Sequence, residues 1–206
     1  SEATRTATFT PGRDAARKEA SKLNVPRIGV RFPLPASMNQ VEYFGRGPAE
    51  NYLDRNAGSM IGLYKSTAEE LYFPYVRPQE NGHHTDTRWV SLSTGKKGLL
   101  IQADNTIGFN ALRNSIEDFD DEEATGLSRQ WSNFTPEQVA NHDEAAAKNV
   151  LRRQHHINDI TPRDFVEVCV DLKQQGVAGY DSWGSRPEPA YTLPANREYN
   201  WGFTLI

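Results

Sequence analysis

The sequence predicts an all-β fold, an antiparallel β-sandwich, and three observations carry that expectation. Short runs rich in Val, Ile, Tyr, Phe and Thr recur along the chain, and Gly, Pro, Asn and Asp punctuate them at regular intervals. Helical periodicity is scarce outside two stretches. Four Trp, eight Tyr and nine Phe supply bulky side chains for a sandwich interior or for a surface that faces a ligand. A chain of 206 residues is long enough to bury a real core as one domain.

Residues 1–24 read as a lead-in: a strand at 6–10, a turn at Pro11-Gly12, and a charged, Ala-rich run over 13–22 that is either a short exposed helix or a mobile segment. Residues 25–206 read as the sandwich itself. Runs at 27–34 and 40–44, separated by Pro33, Pro35 and Asn39, predict neighbouring antiparallel strands. A segment rich in glycine and charge follows, from Gly45 and Arg46 through Glu50, Asn51 and Asp54 to Arg55; its glycines lack the spacing of a dinucleotide or phosphate loop. Residues 59–65 predict a strand. The aromatic stretch 72–78 is not helical throughout, because Pro74 and Pro78 remove backbone donors. Glu80 then leads into the turn signal Asn81-Gly82 and the pair His83-His84.

Three strands are expected at 87–93, 98–103 and 107–112, joined by turns at Thr94-Gly95 and Asp104-Asn105. Residues 115–148 interrupt the pattern as an acidic and partly helical insertion. Six of the seven residues over 117–123 are acids, and Thr135-Pro136-Glu137 is a helix start ahead of the Ala-rich run at 143–148. The acids lack the ligand spacing and turn glycine of a calcium loop, so they predict a solvated face. Strands resume at 150–159 and 165–172, and runs at 190–193 and 198–205 close the fold.

A net charge of −4 and a pI near 5.8 argue against nucleic acid or an anionic membrane as the main partner. No apolar run approaches the roughly 20 residues of a membrane span. The single cysteine, Cys169, excludes an internal disulfide, and its alternating surroundings predict a buried strand thiol. The first residues lack a secretion pattern and read as a cut site, which leaves cytoplasmic and periplasmic locations both open.

Catalytic machinery is hard to find in the residues. Adjacent histidines on a strand point to opposite faces, so neither His83-His84 nor His155-His156 can simply chelate one metal; surface or hydrogen-bonded roles are expected for them. There is no Gly-x-Ser-x-Gly elbow, and none of the 27 acids stands in an apolar setting that recommends it for glycoside cleavage. The densest stretch is 174–184, where Gly176, Gly179 and Gly184 surround Asp181, Ser182 and Trp183. Two readings are open. The glycines bend a loop that holds an indole out to a sugar, or Trp183 plugs the end of the sandwich, which is the commoner role for the residue type.

Five motifs occur in a fixed order: Pro26-Arg27-Ile28-Gly29; Tyr43-Phe44-Gly45-Arg46-Gly47-Pro48 with Glu50-Asn51-Tyr52 and Asp54-Arg55; Tyr75-Val76-Arg77-Pro78-Gln79-Glu80-Asn81-Gly82; Thr87-Arg88-Trp89; and Asp181-Ser182-Trp183-Gly184. From Val25 to Ile206 the series resembles the C-terminal domain of the glycoside hydrolase family 2 β-galactosidases, large bacterial enzymes that split lactose. The resemblance implies a sandwich of the galactose-mutarotase-like type and places the catalytic glutamates, with any Mg and Na, in a barrel domain outside this chain. It implies no catalytic residue, cofactor or metal here. It gives Trp183, supported by Asp181 and Ser182, the role of a platform for the non-galactose part of a β-galactoside. It makes Arg46, Glu50, Asn51, Asp54, Arg55, Glu80 and Asn81 architectural. The implied partners are a lactose-like carbohydrate, the other domains and further copies of a homo-oligomeric enzyme. The family domain extends upstream, so the strand at 6–10 is expected to be the tail of further structure, and the 115–148 segment departs from the family pattern. Two other functions share such a fold. One is a free-standing mutarotase or epimerase using His83, His84, His155 or His156 with Glu80; the other is a carbohydrate-binding module.

Overall fold

The structure, a computed structural model, describes residues 3–9 (backbone only), 23–76, 79–119, 157, 160–181 and 183–206. Alternation sets the strands. In Gln40–Gly47, Val41, Tyr43, Gly45 and Gly47 are buried while the residues between them are more open, the period of two that lets one face of a strand pack on a core. Phe165–Gln174 begins the same way and then becomes buried on both faces from Val168 to Asp171, because Val168 and Val170 join the core while Arg27 lies against Cys169 and Asp171.

The strands are β1 (Ala3–Phe9), β2 (Arg27–Pro35), β3 (Gln40–Gly47), β4 (Met60–Thr67), β5 (His84–Ser93), β6 (Gly98–Leu112), β7 (Phe165–Gln174) and β8 (Tyr199–Leu205). All their pairings are antiparallel, in the order β1-β8-β6-β5-β3-β4, with β2 and β7 attached through a β7–β6 pairing. The fold is therefore the all-β antiparallel class that the sequence predicts. No helix among the described residues is long and apolar enough to cross a membrane.

β6 is the branch point. Its first part pairs with β5 on one side and, through Ile101–Ala103, with β8 on the other; its last part, Gly108–Leu112, pairs with β7. The core gathers around this strand: Ile101, Ile107, Phe109 and Ala111 from β6 meet Val41 and Tyr43, Val90 and Leu92, Val166, Val168 and Val170, and Trp201 and Phe203, all buried. Cys169 is buried, as expected for a strand thiol, and burial pushes it up to about 12 although Arg27 nearby pulls the other way.

Three local expectations are corrected. Asp104-Asn105 is not a turn, because β6 runs straight through it, held by different partners at its two ends. The run at 190–193 is not a strand: Pro189 fixes the first position of a 3-10 turn, Pro189–Tyr191, and this part is tied to its neighbours by the isolated Asn24–Pro194 bridge and by single bonds from the Val25 and Gly176 N–H groups to the Leu193 and Tyr191 carbonyls. Asp118 does not sit on a solvated face; it is buried in a 3-10 turn, Ile116–Phe119, where it accepts the Ser115 N–H at 2.9 Å and pairs with Arg163. Glu117 does lie outside, ion-paired with Arg31 at 2.5 Å, and the hydrogen bonds from Arg31 hold it down at about 2. The expected helices at 13–22 and 135–148, the strand at 150–159 apart from Ile157, and residues 120–123, His155, His156 and Ser182 lie outside the described residues.

Candidate functional site

A loop leaves the end of β7 and carries Trp183. Its stem is pinned at two points: the Gln175 N–H donates to the Pro26 carbonyl at 2.9 Å and the Gly176 N–H to the Tyr191 carbonyl at 2.8 Å. The next two N–H groups donate to one carboxylate, Asp54, Val177 to Oδ1 at 3.0 Å and Ala178 to Oδ2 at 2.8 Å, and the Tyr180 hydroxyl reaches Oδ2 at 3.2 Å. Gly176 leaves room for this contact, since a Cβ there would overlap the Asp54 carboxylate and force that side chain to move. Ala178 sits at φ 56, a left-handed conformation that costs a residue with a side chain about 1 kcal/mol, and the bond from its own N–H to Asp54 offsets that strain. Gly179 and Gly184 follow at φ 82 and 81, so two of the three predicted glycines do bend the backbone as expected.

At the tip, the Asp181 carboxylate accepts the Trp183 N–H at 2.7 Å in a local side-chain turn, and the Ser185 hydroxyl accepts the Tyr180 N–H at 3.0 Å. Trp183 itself is 92% exposed. It is therefore no plug of this chain's core, and the commoner of the two readings of the residue type is removed. Its indole stands on a braced loop with its apolar face in water, a costly arrangement for a residue that buries 150–250 Å² when it finds a partner.

Asp54 is in turn placed by the charged segment after β3. Tyr52 and Arg55 exchange backbone hydrogen bonds at 3.2 and 2.8 Å, closing a tight turn with Asp54 at its tip. Glu50 anchors the turn, accepting Arg55 Nη2 at 2.8 Å, the Tyr52 hydroxyl at 3.2 Å, the Gly82 N–H at 2.7 Å and the Tyr75 hydroxyl. Asn51, fully buried, donates to the Arg46 and Ala49 carbonyls and accepts both the N–H and the hydroxyl of Thr85. Arg46 pairs with Asp86 at 2.5 Å and donates to the Ser59 carbonyl at 2.9 Å, so its partners lie within this chain. Asn81 clamps Phe73 through both backbone groups, and Glu80 faces Arg27 at 3.3 Å. An open cavity of about 370 Å³, lined by Glu50, Asp54, Arg55, Asn56, Ser59 and Tyr191, lies along this turn.

Where β2, β7 and β6 run side by side lies a second polar group that sequence reading missed. Arg27 Nη2 donates to Asn110 Oδ1 at 2.8 Å and Gln174 Oε1 at 2.7 Å, and its Nε lies 3.1 Å from Asp171 Oδ2. Asp171 is 1% exposed, neither of its oxygens accepts a well-directed hydrogen bond, and burial raises it to about 7 against the pull of Arg27. His83 donates from Nδ1 to Asn110 at 2.8 Å, and its burial beside Arg27 lowers it to about 3. His84 is equally buried, with Nδ1 3.1 Å from the Gly82 carbonyl and Nε2 3.3 Å from that of Pro48. Neither imidazole reaches solvent, so neither is poised as a surface acid or base. Among the described residues no group of three His, Cys, Asp or Glu side chains could hold a metal ion.

The family model described as beta galactosidase small chain matches residues 3–205. Among curated proteins, the chain is 34% identical over 182 residues to the β-galactosidase of Priestia megaterium, covering 88% of this chain and 14% of that protein. It is 40% identical over 111 residues to the β-galactosidase of Arthrobacter sp. strain B7, covering 51% of this chain and 11% of that protein. The β-galactosidase of Vibrio cholerae is 29% identical over 181 residues, with 88% and 14% covered. The chain thus spans only 11–14% of the length of these relatives.

Proposed function

The chain belongs to the beta galactosidase small chain family, and from that premise we propose that it works as a non-catalytic part of a larger β-galactosidase, offering Trp183 as a platform for the leaving-group side of a β-galactoside. One observation carries the reading: an indole that is 92% exposed stands on a loop whose backbone is fixed by hydrogen bonds to Asp54, Pro26 and Tyr191. A wholly exposed Trp gains nothing for this chain's stability. Placed over the C–H face of a sugar it buries apolar area on one side only, which suits a group that must leave after the bond is cut.

The carboxylate pair for bond cleavage comes, in this reading, from the remainder of the enzyme. The mutarotase alternative needs an imidazole able to gain and lose a proton near neutrality; burial lowers the pKa of both His83 and His84, and His155 and His156 lie outside the described residues.

The test is Trp183→Ala in the complete β-galactosidase that contains this chain. KM for a β-galactosyl disaccharide is expected to rise by about tenfold, equivalent to about 1.4 kcal/mol, while the inhibition constant of a galactose-derived lactone, which fills only the galactose side, stays within about twofold. Equal losses for both ligands, or no loss for either, would overturn the platform. Measurable binding of a galactoside by the chain alone would favour a carbohydrate-binding module instead.

A further inference from the structure

We infer that Asp54 is the positioning residue for the Trp183 loop, so that a carboxylate on one turn sets the affinity of a leaving-group platform more than 120 residues away in sequence. The inference rests on the platform reading above and adds to it the residue through which the platform is held. Three donors from the loop converge on this carboxylate, from Val177, Ala178 and Tyr180, across 123 to 126 residues of sequence. A carboxylate is needed for that convergence, because both of its oxygens accept and neither donates. An amide of the same shape would set an NH2 against an N–H whichever way it turned, against Val177 on one side or Ala178 on the other.

The surroundings fit a built contact. Asp54 stands at the tip of the Tyr52–Arg55 turn, whose base is held to the sheet by Glu50 and by buried Asn51. Gly176 leaves the space the carboxylate fills, and Ala178 adopts its left-handed conformation where its N–H meets Oδ2. Beyond Ala178, the Tyr180 hydroxyl meets Asp54 again and also the Glu188 backbone, and local turns run through Ser185 and Asp181. Of these contacts, Asp54 alone gathers three donors of the loop, and the indole beyond it is exposed, so its placement leans on the carboxylate.

Three variants in the complete enzyme probe the contact: Asp54→Asn, Gly176→Ala, which drives a methyl group into the carboxylate, and Tyr180→Phe, which removes one of the three donors. Hydrogen exchange over residues 175–180 reads the contact without reference to activity. Asp54→Asn and Gly176→Ala are expected to accelerate it tenfold or more, and Tyr180→Phe less. KM for a β-galactosyl disaccharide is expected to rise three- to tenfold in the first two variants with kcat changed by less than twofold and the lactone constant unmoved. Asp54→Asn added to Trp183→Ala is expected to raise KM no further. Unchanged exchange in Asp54→Asn overturns the contact whatever Trp183 does. Faster exchange with unchanged KM, in an enzyme where Trp183→Ala does raise KM, overturns the positioning role. If Trp183→Ala leaves KM alone, the platform reading fails by itself, and the exchange data still judge the contact.

Discussion

Two carboxylates, Asp54 and Asp171, are put to opposite uses. Asp54 stands near the surface and accepts three hydrogen bonds from a loop that ends in an exposed indole. Asp171 is buried in the sheet, accepts no well-directed hydrogen bond, and faces the guanidinium of Arg27 and the ring of His83. The first arrangement fixes local geometry at little cost, because charged acceptors near solvent keep much of their hydration. The second places charge where solvation is lost, and it stays only because its neighbours are buried with it. A change at Asp54 should therefore alter what the surface presents, and a change around Asp171 should alter whether the chain folds.

The largest effect expected from that contrast is on stability. Arg27→Ala removes the cation beside Asp171 and Glu80 and strips a donor from Asn110 and Gln174. It should destabilise the chain by about 3–5 kcal/mol, the range for breaking a buried pair from one side, and lower Tm by about 10 °C. A thermal melt within a degree or two of wild type would put the polar group of β2, β6 and β7 on the same local footing as the Asp54 loop.

A smaller effect separates the members of that group by pH. His83 titrates at about 3 when folded against an ordinary 6.5, so the unfolded chain takes its proton first and stability is lost as pH falls below about 6.5. Asp171 titrates at about 7 against an ordinary 3.8, so the folded chain keeps its proton longer and stability is lost as pH rises from about 4 to 7. Between about pH 4 and 6.5 the two trends oppose each other, each approaching about 1.4 kcal/mol per pH unit at most. Urea unfolding of His83→Gln should leave the Asp171 trend uncovered, with stability relative to wild type declining as pH rises. Asp171→Asn should show the reverse. Slopes of the same sign in both variants would break this account of the buried group.

The contrast also explains what could be read from the sequence. β-type runs and turn dipeptides announced most strands, because alternation and turn chemistry are local. Asp104-Asn105 misled for the same reason: its two residues have turn character, yet β6 continues through them under the hold of β5, β7 and β8. The Trp183 loop was visible as a cluster of glycines beside an indole. Asp54 was visible only as one member of a charged motif, since its partners lie 123 to 126 residues away and nothing in the spacing singles it out from the other acids. His83 and His84, next to a turn signal, gave no sign of their complete burial, and Arg27 and Asp171 meet only through the pairing of β2 with β7.

The central claim, that an indole held clear of the core serves the leaving-group side, is tested most directly by how the galactosyl group partitions between glucose and water in the complete enzyme. On this claim an acceptor sugar rests on the platform and water does not. Trp183→Ala should lower the ratio of transfer to hydrolysis severalfold at a fixed glucose concentration, with Trp183→Phe in between because a smaller aromatic face remains. A ratio unchanged in Trp183→Ala would contradict the claim and leave the exposed indole without a sugar to hold.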